Sequence, residues 1–187
     1  MVDLRRVLSV SALFMFVIGS IICGCSGPQV LYLKNNIHAQ RGPRDIKASY
    51  ANWTNPGAGH MVIPVNTPIR TGRWRGGFYF VTLDTKRRVN FELNQRNALA
   101  TPGEYIDLIT ASSEVPLGDL SEIDRKGIRA GKAFVGMSKD GIRIALGYPA
   151  AHRTPSLDSD TWTYWQNRHR RLLIQFDENG KVTRIDR

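Results

Sequence analysis

Cysteine is almost missing from this 187-residue chain: the two that occur, Cys23 and Cys25, lie close together near the amino terminus. Everything beyond them lacks the means for a disulfide framework, a cysteine-ligated metal site or a thiol nucleophile. Acidic residues are scarce too. Against 26 Lys and Arg stand 16 Asp and Glu, so the chain carries +10 and favours anionic surfaces. No HExxH, CxxC, nucleophile elbow or phosphate-cradling glycine loop occurs, so enzymatic chemistry has no motif to stand on, and we expect a non-enzyme without cofactor or metal. Long apolar runs are confined to one place, Val7 to Ile22. With 42% apolar and 22% charged residues the chain as a whole has an ordinary globular balance, enough for one or two small domains.

Arg5 and Arg6 followed by the uncharged Val7 to Ile22 are the basic and apolar regions of an export signal. The run closes on Ile22-Cys23-Gly24-Cys25-Ser26, which resembles the bacterial lipobox: aliphatic at minus three, small at minus one, then the cysteine that is diacylated and becomes the new terminus. The resemblance makes residues 1–24 a signal peptide and Cys25 the lipidation site, and Ser26 after it implies sorting to the outer membrane, on its periplasmic side. The rival is an uncleaved anchor, since Val7 to Cys25 is roughly long enough to cross a bilayer. Either way the chain is tethered. Loss of Asp3, Arg5 and Arg6 leaves +9, so the basic character belongs to the mature protein.

After a tether at 25–29, residues 30–94 are punctuated by Gly and Pro, with short β-rich runs at Val30 to Leu33, Tyr50 to Trp53, Met61 to Val65, Ile69 to Arg73, Phe78 to Leu83 and Val89 to Leu93. This pattern predicts a small closed β-barrel. Met61 to Ile69 resembles the "IPxGTxV" opening of bacterial Src-homology-three-like domains. Residues 95–120 read as a connector with a short helix around Tyr105 to Ile109.

Residues 121–187 read as two helices and three strands, a two-layer α+β unit. Ser121 and Asp124 have capping-box spacing, and Gly131 ends that helix. Ser138 caps the next, with Met137 and Ile142 at staple spacing and Gly147 placed for a left-handed cap. Alternation then puts Trp162 and Tyr164 on one face, taken as core, and Trp165 on the other. Leu172, Ile174 and Phe176 share one side of a second strand, and Asn179-Gly180 is the turn into a third.

Gly136-Met137-Ser138, Ile142, Leu146, Gly147 with Pro149, Trp162 with Tyr164, and Phe176-Asp177 through Gly180-Lys181-Val182 together resemble the SmpA/OmlA (BamE-like) outer-membrane lipoproteins, structurally akin to the repeats of β-lactamase inhibitory protein. The resemblance spans roughly 126–187. It implies a non-catalytic envelope lipoprotein that scaffolds assembly, with outer-membrane proteins of the assembly machinery as partners. The "QGN"-type segment of members that join the barrel-assembly machine is absent ahead of Gly136. The added N-terminal barrel opens an alternative, a binder of cell-wall glycan or peptide.

Three basic clusters stand out: Arg73-Trp74-Arg75, Lys86-Arg87-Arg88 and Arg168-His169-Arg170-Arg171. Export argues against nucleic acid, so Arg73, Trp74, Arg75, Trp165, Arg168, Arg170 and Arg171 are the candidate contacts for a protein partner or an anionic lipid surface. Clusters at strand ends are equally explained as solvated turns. His152 with Asp158 and Asp160 could form a ligand or acid–base set, but the intervening Thr154-Pro155-Ser156 favours a polar loop.

Overall fold

The computed structural model describes residues 29–187; the export signal, the lipobox-like segment and Cys25 lie outside the described residues. The fold is mixed α+β, with one curled eight-stranded sheet, one three-stranded sheet and four helices among the described residues.

The first sheet contains β1 (Leu31–Leu33), β2 (Ile37–Arg41), β3 (Ile46–Ser49), β4 (His60–Ile63), β5 (Pro68–Trp74), β6 (Gly77–Thr82), β7 (Arg88–Glu92) and β8 (Thr110–Ala111). They lie side by side in the order β4-β2-β3-β7-β6-β5-β1-β8, all antiparallel except β3 beside β7. Period-two alternation builds its interior: Phe78 and Phe80 on β6 and Val89 and Phe91 on β7 face inward with Ile37, Leu33 and Ile69. Two short helices follow, α1 (Gln95–Ala98) and α2 (Pro102–Ile109). α2 starts in a capping box between Thr101 and Glu104 and lays Tyr105 and Ile109 into the curl, with the Tyr105 ring 5.2 Å from that of Phe91.

This is a half-barrel with β4 and β8 at its two ends, not the closed barrel expected. Closure needs a consistent strand tilt and stagger, and β1 and β8, at 3 and 2 residues, are too short to carry it round. The expected strand at Tyr50 to Trp53 is a turn, with Asn52 at φ 44°. Its Tyr50 packs against the first core from that turn. The expected connector contributes β8, which pairs with β1, so the sheet continues past Asn94.

The second unit has α3 (Glu122–Ala130), α4 (Lys139–Leu146) and an antiparallel sheet of β9 (Thr161–Trp165), β10 (Arg171–Phe176) and β11 (Val182–Asp186) in the order β11-β10-β9. Its separate core gathers Met137, Ile142, Leu146, Trp162, Tyr164, Leu172, Ile174 and Phe176. Both helix starts converge on Asp124. Ser121 accepts the Asp124 amide and donates its hydroxyl to one Asp124 oxygen at 2.6 Å, while the other oxygen accepts the Ser138 amide at 2.7 Å. A buried carboxylate thus ties the two helix N-termini together, where positive backbone charge favours it. Gly131 ends α3 in the left-handed conformation, as expected. Gly147 does not do the same for α4: at φ 81°, ψ −170° it turns the chain out in an extended form toward Pro149.

The two units meet along a polar seam. The Asn36 side chain donates to the carbonyls of Ile128 (2.7 Å) and Ala145 (3.2 Å) and accepts the Val65 amide (2.9 Å). Its backbone amide donates to Ile144 at 2.8 Å. Asn52 donates to the Tyr148 carbonyl at 2.7 Å. Gly131 closes against β2 and β4 so tightly that a Cβ there would stand 2.9 Å from a Val62 methyl and 3.3 Å from the His38 ring. Among the described residues no helix is long and apolar enough to cross a membrane.

Candidate functional site

The β9–β10 hairpin carries most of the sequence-derived candidates. Asn167 accepts the amides of His169 (2.9 Å) and Arg170 (3.1 Å), and Gln166 donates its amide to the Arg170 carbonyl at 2.8 Å, which fixes the loop. Arg168, Arg170 and Arg171 are exposed on it, and none has a carboxylate within ion-pair distance among the described residues. Trp165 is half-buried at the hairpin base. Its carbonyl accepts the Thr54 amide (2.9 Å), and the Gln166 carbonyl accepts the Asn55 amide (2.8 Å), so the loop after Trp53 is bonded to the hairpin.

Arg73, Trp74 and Arg75 stand on a different sheet, at the β5–β6 turn. Arg73 and Arg75 are exposed, whereas Trp74 folds back over Gly76, whose missing Cβ would lie 2.9 Å from its ring. No hydrogen bond or ion pair links this hairpin to the other, so the two clusters are separate surfaces. In the third cluster, the Arg88 guanidinium lies 3.8 Å above the centre of the Tyr79 ring, a packing role that its sequence neighbours do not reveal. His152, Asp158 and Asp160 are exposed loop residues, and among the described residues no three His, Cys, Asp or Glu gather as a metal-binding group.

Two features escaped the sequence. His38 is buried on the outer face of β2 and nearly coplanar with His60, the ring centres 5.3 Å apart, with His38 Nδ1 3.0 Å from His60 Nε2 and His38 Nε2 3.1 Å from the Ala145 carbonyl. Burial holds His38 down to about 4, opposed by the Ala145 hydrogen bond and helped by His60. Burial, then the nearby Lys132 charge, also hold His60 below the ordinary imidazole range.

Beside this pair opens a cleft of about 390 Å³, within the size range of ligand sites. It sits at the open end of the helix–sheet layer. Leu146, Leu172 and Ile185 form its floor, and the loop carrying Thr54 and Asn55 closes one side. Lys132, Gln166 and Arg187 complete the rim with His60. The residues come from five separated stretches of chain, and no local spacing links them.

No family model, curated protein or solved structure matches the chain.

A smaller hollow of about 240 Å³ lies on the outer face of the half-barrel, lined by Trp53 together with Gln40, Lys47 and Glu92. In the sequence Trp53 reads only as the end of an expected strand, and its neighbours are assembled by β2, β3 and β7 lying side by side.

Proposed function

We propose that this chain is a non-catalytic lipoprotein of the bacterial outer membrane, anchored through Cys25 on the periplasmic side, that serves envelope assembly as a scaffold or protein-binding module similar to the SmpA/OmlA (BamE-like) lipoproteins. The observation that carries the reading is the β9–β10 hairpin. It presents three exposed arginines without internal carboxylate partners on a loop fixed at its base to the other unit. A fixed basic surface loses little entropy on docking, so it suits an acidic protein face, with anionic headgroups as a second contact.

The residues behind the family resemblance add support. Met137, Ile142, Trp162, Tyr164 and Phe176 are all core positions of one helix–helix–three-strand unit. The anchor rests on Ile22, Gly24 and Cys25.

The test is co-purification of the tagged chain with an outer-membrane β-barrel protein after membrane solubilisation, and its loss in the Arg168→Ala, Arg170→Ala, Arg171→Ala triple variant. Intact-mass analysis should show an acylated Cys25 terminus. A full-length chain with an unmodified Met1 would remove the anchor, and unchanged capture by the triple variant would remove the hairpin.

A second reading, binding of cell-wall glycan or peptide, is favoured by the hollow at Trp53, which an aromatic side chain lines together with amide and charged side chains. Sedimentation with purified sacculi, abolished by Trp53→Ala, would select it.

A further inference from the structure

We propose that the cleft at the open end of the helix–sheet layer is a binding site for the free carboxyl terminus of a partner polypeptide. The inference rests on the protein-binding part of the function above and is independent of the anchor.

Three observations carry it. Positive charge comes first: Lys132 stands at the rim with no carboxylate within ion-pair distance among the described residues, and no Asp or Glu side chain lines the cleft. Burial first, and then the Lys132 charge, make His60 harder to protonate, so the Lys132 charge is felt inside the cleft. An anionic group entering there gains charge-assisted hydrogen bonds.

The floor sets the second requirement. Leu146 and Leu172 are core residues whose edges are reached from this end, and Ile185 lies beside them. An apolar side chain placed next to the anion would be received there.

The third observation separates a peptide from a fatty acid, which would satisfy the first two. The side chains of Thr54, Asn55 and Gln166 line the cleft and make no hydrogen bond among the described residues, although the Asn55 and Gln166 backbones are locked together at 2.8 Å. Each amide offers a donor and an acceptor, which match the N–H and C=O of a peptide unit and find nothing on a hydrocarbon chain. An acyl chain would desolvate them without return.

The experiment uses the full chain in phosphatidylcholine nanodiscs and fluorescein-labelled tetrapeptides ending in Leu, Phe or Val, each as free acid and as carboxamide, read by fluorescence anisotropy. At least one free acid should bind saturably, with its carboxamide at least tenfold weaker. Lys132→Met should weaken the acid at least tenfold and leave the carboxamide unchanged, with the circular dichroism spectrum intact. Gln166→Ala, which keeps the charge, should weaken the acid by a smaller factor. Absence of saturable binding by all three acids overturns the proposal, and so does equal binding of acid and amide or indifference to Lys132→Met. Saturable binding of dodecanoate with no peptide bound would make the cleft an acyl site and likewise overturn it. Capture of the barrel protein through the arginine hairpin is scored separately, so either reading can fail alone.

Discussion

His60 donates a hydrogen bond to His38, from Nε2 to Nδ1 at 3.0 Å, and the Ala145 carbonyl fixes that direction. A carbonyl can only accept, so His38 Nε2 carries the proton and donates at 3.1 Å. In the neutral ring Nδ1 is then bare, and His60 must supply the hydrogen between them. His60 can take a second proton without losing this bond, whereas His38 cannot.

The first prediction is a stability that falls in mild acid. His38 has an ordinary value of 6.5 and is held at about 4 when folded, so between those values protons bind the unfolded chain more readily. Its contribution is complete above about 6.5 and is lost as pH drops toward 4, the loss by pH 5.5 being on the order of 1 kcal/mol. Urea midpoints at pH 7.5 and 5.5 should differ in the natural chain. The difference should shrink in His38→Gln, even though that variant starts less stable. Equal pH sensitivity in the two proteins would sink the assignment.

Asn36 is the second target, because it serves two backbone groups across the seam and one on its own side at once. Asn36→Ala strands the Val65 amide and the Ile128 carbonyl away from water, and should cost about 2 to 4 kcal/mol. Asn36→Asp should be worse at neutral pH, since it aims a carboxylate at two carbonyl oxygens. Chemical denaturation followed by tryptophan fluorescence would check the order, and an aspartate variant as stable as the natural chain would contradict it.

Trp162 supplies a third. Its ring packs edge-on to Phe176 at 4.9 Å, and its indole N–H is buried with no partner among the described residues. Trp162→Ala should cost about 3 to 5 kcal/mol and unfold the second unit, by removal of its largest side chain. Trp162→Phe should be far milder, because it also removes the stranded N–H. Near-ultraviolet circular dichroism separates the cases; comparable loss of signal in both variants would mean that the indole has a role not visible in its contacts.

The helices were legible from their ends, because caps are local: Ser121, Gly131 and Ser138 act within one turn of where they stand in sequence. Trp162, Tyr164, Leu172 and Ile174 were legible from alternation. β2 was not. Its Ile37-His38-Ala39-Gln40 alternates properly, but His38 reads as an outward polar residue until α3 and α4 bury it. The parallel pairing of β3 with β7 joins residues more than forty positions apart, and only assembly reveals it. For the same reason the cleft at Lys132 left no trace in the sequence.

A fourth prediction concerns anionic membranes. The described residues, freed of any tether, should bind vesicles containing anionic lipid and release them as salt rises, because the attraction is screened over about 8 Å at physiological ionic strength. Removing Arg168, Arg170 and Arg171 together should weaken sedimentation with the vesicles. Equal binding to neutral vesicles would contradict it.

The seam of Asn36, Asn52 and His38 also bears on the order of synthesis. The half-barrel leaves the ribosome before α3, α4 and their sheet exist. During that interval the surface awaiting them offers water amides and an imidazole, beside the apolar Val62 and Val65. A nascent half-barrel therefore exposes little that invites aggregation, and the later unit docks by exchanging water for carbonyls. The cost falls on a chain cut short before Ala145: His38 then lacks its acceptor and Asn36 one of its two, and the outer face of the half-barrel stays unfinished.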